Sequence, residues 1–242
     1  MGGSKLMYGN KKYEKRKQVV FTFVFLLLII SVVYAIYKLL NAPSGISQNE
    51  YKRVKSDYVL MILQCAVGSI IIFLPSRIEH RFHIDIPDSM EIIYFIFLFC
   101  AIYLGEVRNF YYKVPYWDMV LHCFSAAMLG ALGFMIVNIL NSSEKVDIQL
   151  SPFFVALFAF SFAVTCGSLW EIYEFTADGI LGTNMQKFIT SSGTVLTGHA
   201  ALYDTMKDIM IDCLGALAVT MVGYFDLRKK HGQVQMMKEI NL

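Results

Sequence analysis

The residues best suited to chemistry form three short patterns in the C-terminal half of a 242-residue chain. Asp118 and His122 stand four apart, Glu171 and Glu174 are followed by Asp178, and Asp204, Asp208 and Asp212 recur at every fourth position. A helix turns about 100° per residue, so each set stays within an arc of roughly 40–80° and forms a stripe on one face. Carboxylates with an imidazole are a ligand set for a divalent cation, zinc or manganese. A metal-bound water is a nucleophile near neutral pH, and a pair of acids without metal can act as proton donor and acceptor. Glu171, Glu174, Asp208 and Asp212 fall a turn or more inside apolar runs. There an ionised carboxylate costs at least about 2.5–3.5 kcal/mol. Relief comes from a bound cation, from Arg108, Lys113, Lys187 or Lys207, or from protons shared between the acids.

Plainer roles stand beside these. Asp118 and Asp204 suit helix N-caps, where a carboxylate meets free N–H groups. Asp178-Gly179 reads as a turn, and His122 alone would pass as a satisfied interior histidine. Trp117, Trp170, Tyr111, Tyr112, Tyr116 and Tyr173 suit membrane-interface anchors. His199, in a Thr-Gly-His-Ala segment, either completes the site from above or is solvated. The five cysteines make no CxxC pair and sit in apolar stretches, as small hydrophobes do.

The elements that must position these residues are membrane helices. The chain is 56% hydrophobic, above the usual 45–50%, and the excess is gathered in blocks. A net charge of +2 gives no argument for nucleic acid. The blocks at about 19–40, 58–75, 90–105, 119–140, 152–175 and 207–226 predict an all-α polytopic bundle of six transmembrane helices. They make a single transmembrane domain over 19–226, with basic tails at 1–18 and 227–242. Pro75 is expected to close the second helix and Pro152 to open the fifth. The first block has the length of a retained span rather than a signal peptide. Basic residues at both tails predict N-in, C-in, against the opposing basic residues Lys52, Arg53 and Lys55 of one outer connection. His80 and His83 then fall on the inner side, away from the acids. The sequence shows neither discontinuous helices nor inverted repeats.

In that topology Asp118 and His122 open the fourth helix outside, Glu171 to Asp178 close the fifth outside, and Asp204 to Asp212 open the sixth outside. All three stripes are expected at one depth, with Glu106 and Arg108 from the third helix in the same layer. Small residues at Ser125, Ala126, Gly130 and Gly133, and at Gly215, Ala216 and Ala218, predict close helix packing that brings the stripes together. The outer segment 176–206 reads as a lid, a re-entrant segment or a short surface helix.

At Asp118-Met-Val-Leu-His122, Trp170-Glu171-Ile-Tyr-Glu174 and Asp208-Ile-Met-Ile-Asp212-Cys-Leu-Gly215-Ala216 the chain resembles the YjdF-like family of bacterial inner-membrane proteins. It is more distantly similar to VanZ-like proteins, from which it departs at Met119 and Asp212. The resemblance covers about residues 100–225 and implies a small multi-pass fold in a bacterial inner membrane. The reading that best joins residues and elements is a metal-assisted hydrolase or transferase acting on a lipid or envelope substrate. Asp118, His122, Glu171 and Asp208 would be its ligands, and Glu174 or Asp212 its general base. Asp178, His199, Asp204 and Arg108 would stand at the periphery. Its rivals are a cation- or proton-coupled transporter and a non-catalytic structural or binding membrane protein.

Overall fold

The computed structural model describes residues 11–46, 52–82, 85–141 and 150–240. The first ten residues of the N-terminal tail, His83 and the last two residues of the C-terminal tail lie outside the described residues. Among those described, all regular structure is helical apart from one isolated β-bridge between Ile189 and Val195. The α-helices are α1 (Lys11–Asn41), α2 (Lys55–Ile71), α3 (Leu74–Phe82), α4 (Asp88–Leu98), α5 (Phe110–Lys113), α6 (Trp117–Asn141), α7 (Pro152–Leu181) and α8 (His199–Ile240). A π-helix, Phe99–Val107, continues α4. Six stretches are long and apolar enough to cross a membrane: Tyr13–Asn41, Lys55–Arg81, Asp88–Val107, Trp117–Asn138, Pro152–Leu181 and His199–Lys230. The expected all-α architecture with six spans is therefore present.

The ends differ from expectation in ways that have local causes. Pro75 does not close the second span. It sits in the first turn of α3, where its missing N–H has no helical partner to lose, and the helical path runs on to Phe82. The third span is continuous, as expected, but its second half is a π-helix. At its end the Arg108 N–H donates to the Tyr103 carbonyl at 2.9 Å, five residues back. Such widened turns free carbonyls, and side chains collect them here. The Tyr111 hydroxyl donates to the Ala101 carbonyl at 3.0 Å, and the Arg53 guanidinium donates to the carbonyls of Glu106 and of Val107.

The chain divides into two compact units. The first comprises Met1–Trp117 with Leu181–Asn184 and Ile189–Val195. Its core joins Val24 and Leu28 of α1, Met61 and Cys65 of α2, Phe95 and Leu98 of α4, and Ile102 of the π-helix. Lys17 of α1 is fixed between Asp88 and Glu91 of α4 at 2.7 and 2.5 Å. The second comprises Asp118–Ile180, Met185–Phe188 and Leu196–Leu242. Its centre is small: Ala126 of α6, Ala163 of α7 and Ala216 of α8 pack together. At Gly215 a Cβ would run into the Cys123 carbonyl, so α8 and α6 approach almost backbone to backbone there. Ala218, expected on the same packing face, is exposed instead.

Candidate functional site

Close packing of the three long helices of the second unit draws the polar stripes together. The small residues carry little bulk between helix axes, so side chains one or two turns away along α6 and α8 must meet. His122 of α6 stands at their centre and is buried. Its Nδ1 lies 3.2 Å from Asp212 Oδ1 of α8. Its Nε2 faces the other acids, 3.9 Å from Asp118 Oδ1 and 3.8 Å from Glu171 Oε1 of α7. One ligand atom from each of Asp118, His122 and Asp208 falls within 4.8 Å of the others.

Burial at this cluster is deep for charged groups. Glu171 is 4% exposed, Asp208 3% and Asp212 2%. Three of their oxygens, Glu171 Oε1, Asp208 Oδ1 and Asp212 Oδ2, have no hydrogen-bond partner. Buried polar atoms are nearly always satisfied, so three orphans in one place mark a cluster built for something further. Lys207 is the nearest cation on α8. It binds Asp204 at 2.6 Å and stands 3.6 Å from Asp208 Oδ1. Lys187 is also within electrostatic reach of Asp118 and Glu174, and these two ammoniums are fewer than the carboxylates gathered around His122.

Two supports of the cluster were not visible in the residue patterns. Gly167, one turn before Glu171 on α7, faces Asp212, and a Cβ there would occupy the space of the Asp212 carboxylate. The second is a chain of polar contacts. Thr205 bonds Glu171 and accepts from the Gln186 side chain at 2.9 Å. Gln186 is itself held by its backbone N–H, which donates to Asp178 Oδ2 at 2.9 Å. The spacing of Gly167, four residues before Glu171, was the only sequence signal for either.

The peripheral residues take varied places. Asp178 is not in a turn after the helix. It is buried within α7, and its two oxygens accept the backbone N–H groups of Met185 and Gln186 at 2.7 and 2.9 Å. The helix stops only at Gly182, whose φ of +61° suits a C-terminal cap. Asp204 does not cap α8, which begins at His199; it lies inside the helix and pairs with Lys207. His199 is exposed at that helix start and Glu174 is half-buried one turn beyond Glu171. Arg108 belongs to the first unit and its backbone closes the π-helix. The segment between α7 and α8 carries no helix over residues 182–198, so it is not a surface helix. It contains a tight turn, with Thr190 N–H donating to the Thr194 carbonyl at 3.0 Å beside the Ile189–Val195 bridge.

Residues 20–229 match the family described as "Predicted membrane protein (DUF2238)". The chain belongs to this family. It is thus a multi-pass integral membrane protein. A Thermotoga maritima protein, described as uncharacterized, is 30% identical over 162 residues, which is 66% of this chain and 73% of the relative. No solved structure matches. The matched segment takes in all three stripes of the candidate site. The family description names a membrane protein and no reaction, so the geometry of the site carries the functional reading.

Proposed function

We propose that this DUF2238 chain, a YjdF-like protein of the bacterial cytoplasmic membrane, holds a divalent cation on Asp118, His122 and Asp208 and uses it for hydrolysis or group transfer on a lipid or envelope-linked substrate. The observation that carries this reading is the set of buried carboxylate oxygens around His122 that have no hydrogen-bond partner, on Glu171, Asp208 and Asp212. Two ligands about 2.1 Å from one ion stand no more than about 4.2 Å apart. The 4.8 Å spread of Asp118, His122 and Asp208 is a loosened form of such a site, within reach of a side-chain rotation. Zinc and manganese both suit one imidazole with carboxylates. A bound ion would supply a water acidified towards hydroxide and an electrophile for a phosphoryl or acyl oxygen.

The chain's own residues divide the remaining tasks. Asp212 accepts from His122 Nδ1–H, which fixes the tautomer and leaves Nε2 free as a ligand. Glu171, held through Thr205, is the fourth carboxylate facing the imidazole. Glu174, half-buried a turn further along α7, is left for proton transfer. A cation- or proton-coupled transporter is the second reading. It draws on the same buried acids, since ionisable groups inside membrane spans mark ion and proton paths.

The deciding measurement is elemental analysis of protein purified without chelator and then offered zinc or manganese. About one ion per chain is expected for the wild type and less than a tenth of that for His122→Ala or Asp208→Ala. His199→Ala, which removes an exposed histidine, should leave the ion in place. A wild type that binds neither metal at micromolar concentration refutes the proposal.

A further inference from the structure

We infer, resting on the metal site proposed above, that Lys187 is the tethered counter-cation of that site: its ammonium serves Asp118 and Glu174 until a divalent ion displaces it. Backbone conformation gives the first ground. Four residues between α7 and α8 have a positive φ: Gly182 at +61°, Lys187 at +53°, Gly193 at +82° and Gly198 at +57°. Three are glycines, which adopt this conformation at no steric cost. At Lys187 the same conformation sets a Cβ close to the following carbonyl. Residues held this way persist where their surroundings over-determine them, and they cluster at functional sites. A turn alone would be better made by a fourth glycine or by asparagine, so the side chain accounts for the lysine.

The second ground is where that side chain is held. Before it, Met185 and Gln186 donate their backbone N–H groups to Asp178 of α7 at 2.7 and 2.9 Å, and the Gln186 side chain donates to Thr205 of α8 at 2.9 Å. After it, the Phe188 carbonyl accepts the Leu196 N–H at 2.8 Å. Helices α7 and α8 thus both grip the segment that carries Lys187. The residue is half-buried and acts electrostatically on Asp118 and on Glu174. One is a proposed ligand and the other is the group left for proton transfer, so a single ammonium covers both. Lys207 differs, being committed to Asp204 at 2.6 Å within its own helix. A divalent ion on Asp118, His122 and Asp208 would repel the Lys187 ammonium and compete with it for Asp118. Metal binding then exchanges one cation for another, and it uncovers Glu174.

Calorimetric titration of the full chain with zinc or manganese, joined to amine acetylation read by mass spectrometry, tests this. Lys187→Asn removes the charge and suits the left-handed backbone. It should bind metal at least about 10-fold more tightly than the wild type, the low end of what a neighbouring charge does to a carboxylate's hold on a proton. Lys187→Arg keeps the charge and should bind metal as the wild type does. In the wild type, saturating zinc should speed acetylation of Lys187 and leave unchanged that of Lys230, which is paired with Asp226. A wild type that binds metal no more weakly than Lys187→Asn, or zinc that leaves Lys187 acetylation unchanged, overturns the inference and leaves the metal site standing. Metal binding by neither protein overturns both.

Discussion

At the scale of residues, the proposed site gives His122 and Asp212 separate tasks, and the separation can be measured. Asp212 meets Nδ1, the ring nitrogen turned away from Asp118 and Glu171. In the proposed metal site, Asp212→Asn keeps a carbonyl that can accept an Nδ1 proton but removes the negative charge that would strengthen the imidazole as a ligand. Metal affinity is expected to fall about 10–100-fold, as for other partners of a ligating histidine. Stoichiometry at saturating metal should remain about one per chain. Calorimetric titration separates affinity from stoichiometry; if Asp212→Asn abolishes binding outright, as Asp208→Ala is expected to, then Asp212 is itself a ligand. The acids and His122 were legible because helical spacing places them on single faces. Gly167, Gln186 and Thr205 were not, because each matters through a neighbour far along the chain. A glycine that makes room for Asp212 looks, in sequence, like any small residue in a membrane helix.

Elements were legible in number and kind and less so at their ends. Apolar blocks report the length of chain that must cross the membrane, and six were found where six are seen. Helix ends depend on where backbone groups find partners. The pair Asp178-Gly179 looks like a stop signal, yet Asp178 accepts amides seven and eight residues ahead, and α7 runs on to Leu181. The π-helix left no periodic trace because its freed carbonyls are taken by Arg53 and Tyr111, outside the segment itself. The Asp178 contact makes a clear prediction for the turn that follows α7. Asp178→Ala leaves two N–H groups without an acceptor, each at a cost of about 1–3 kcal/mol. Hydrogen exchange at Met185 and Gln186 should quicken by at least about fivefold on that scale, while the Ala126–Ala163–Ala216 centre keeps its protection. Unchanged exchange at both amides would show that other contacts hold this segment.

For the whole molecule the open quantity is orientation, since it decides which compartment meets the acids. Six spans would return both termini to one side, and the basic residues in the first turns of α1 and at the end of the last span predict that this side is cytoplasmic. The dissenting basic residues were Lys52, Arg53 and Lys55. The structure gives Arg53 a local task, since its guanidinium binds the carbonyls that end the π-helix. A guanidinium spent on backbone acceptors is weak testimony about topology, so the dissent shrinks while the basic tails keep their weight. Asp118, Asp178 and His199 would then lie toward the outer surface, within reach of lipid-linked or envelope substrates. A fluorescent protein fused after Leu242 should mature and glow, whereas alkaline phosphatase at that point should stay inactive. Phosphatase inserted at Ser192, in the exposed turn between α7 and α8, should be active. The reverse pattern would turn the acids toward the cytoplasm, and the partner chemistry would shift with them from envelope intermediates to soluble cytoplasmic substrates.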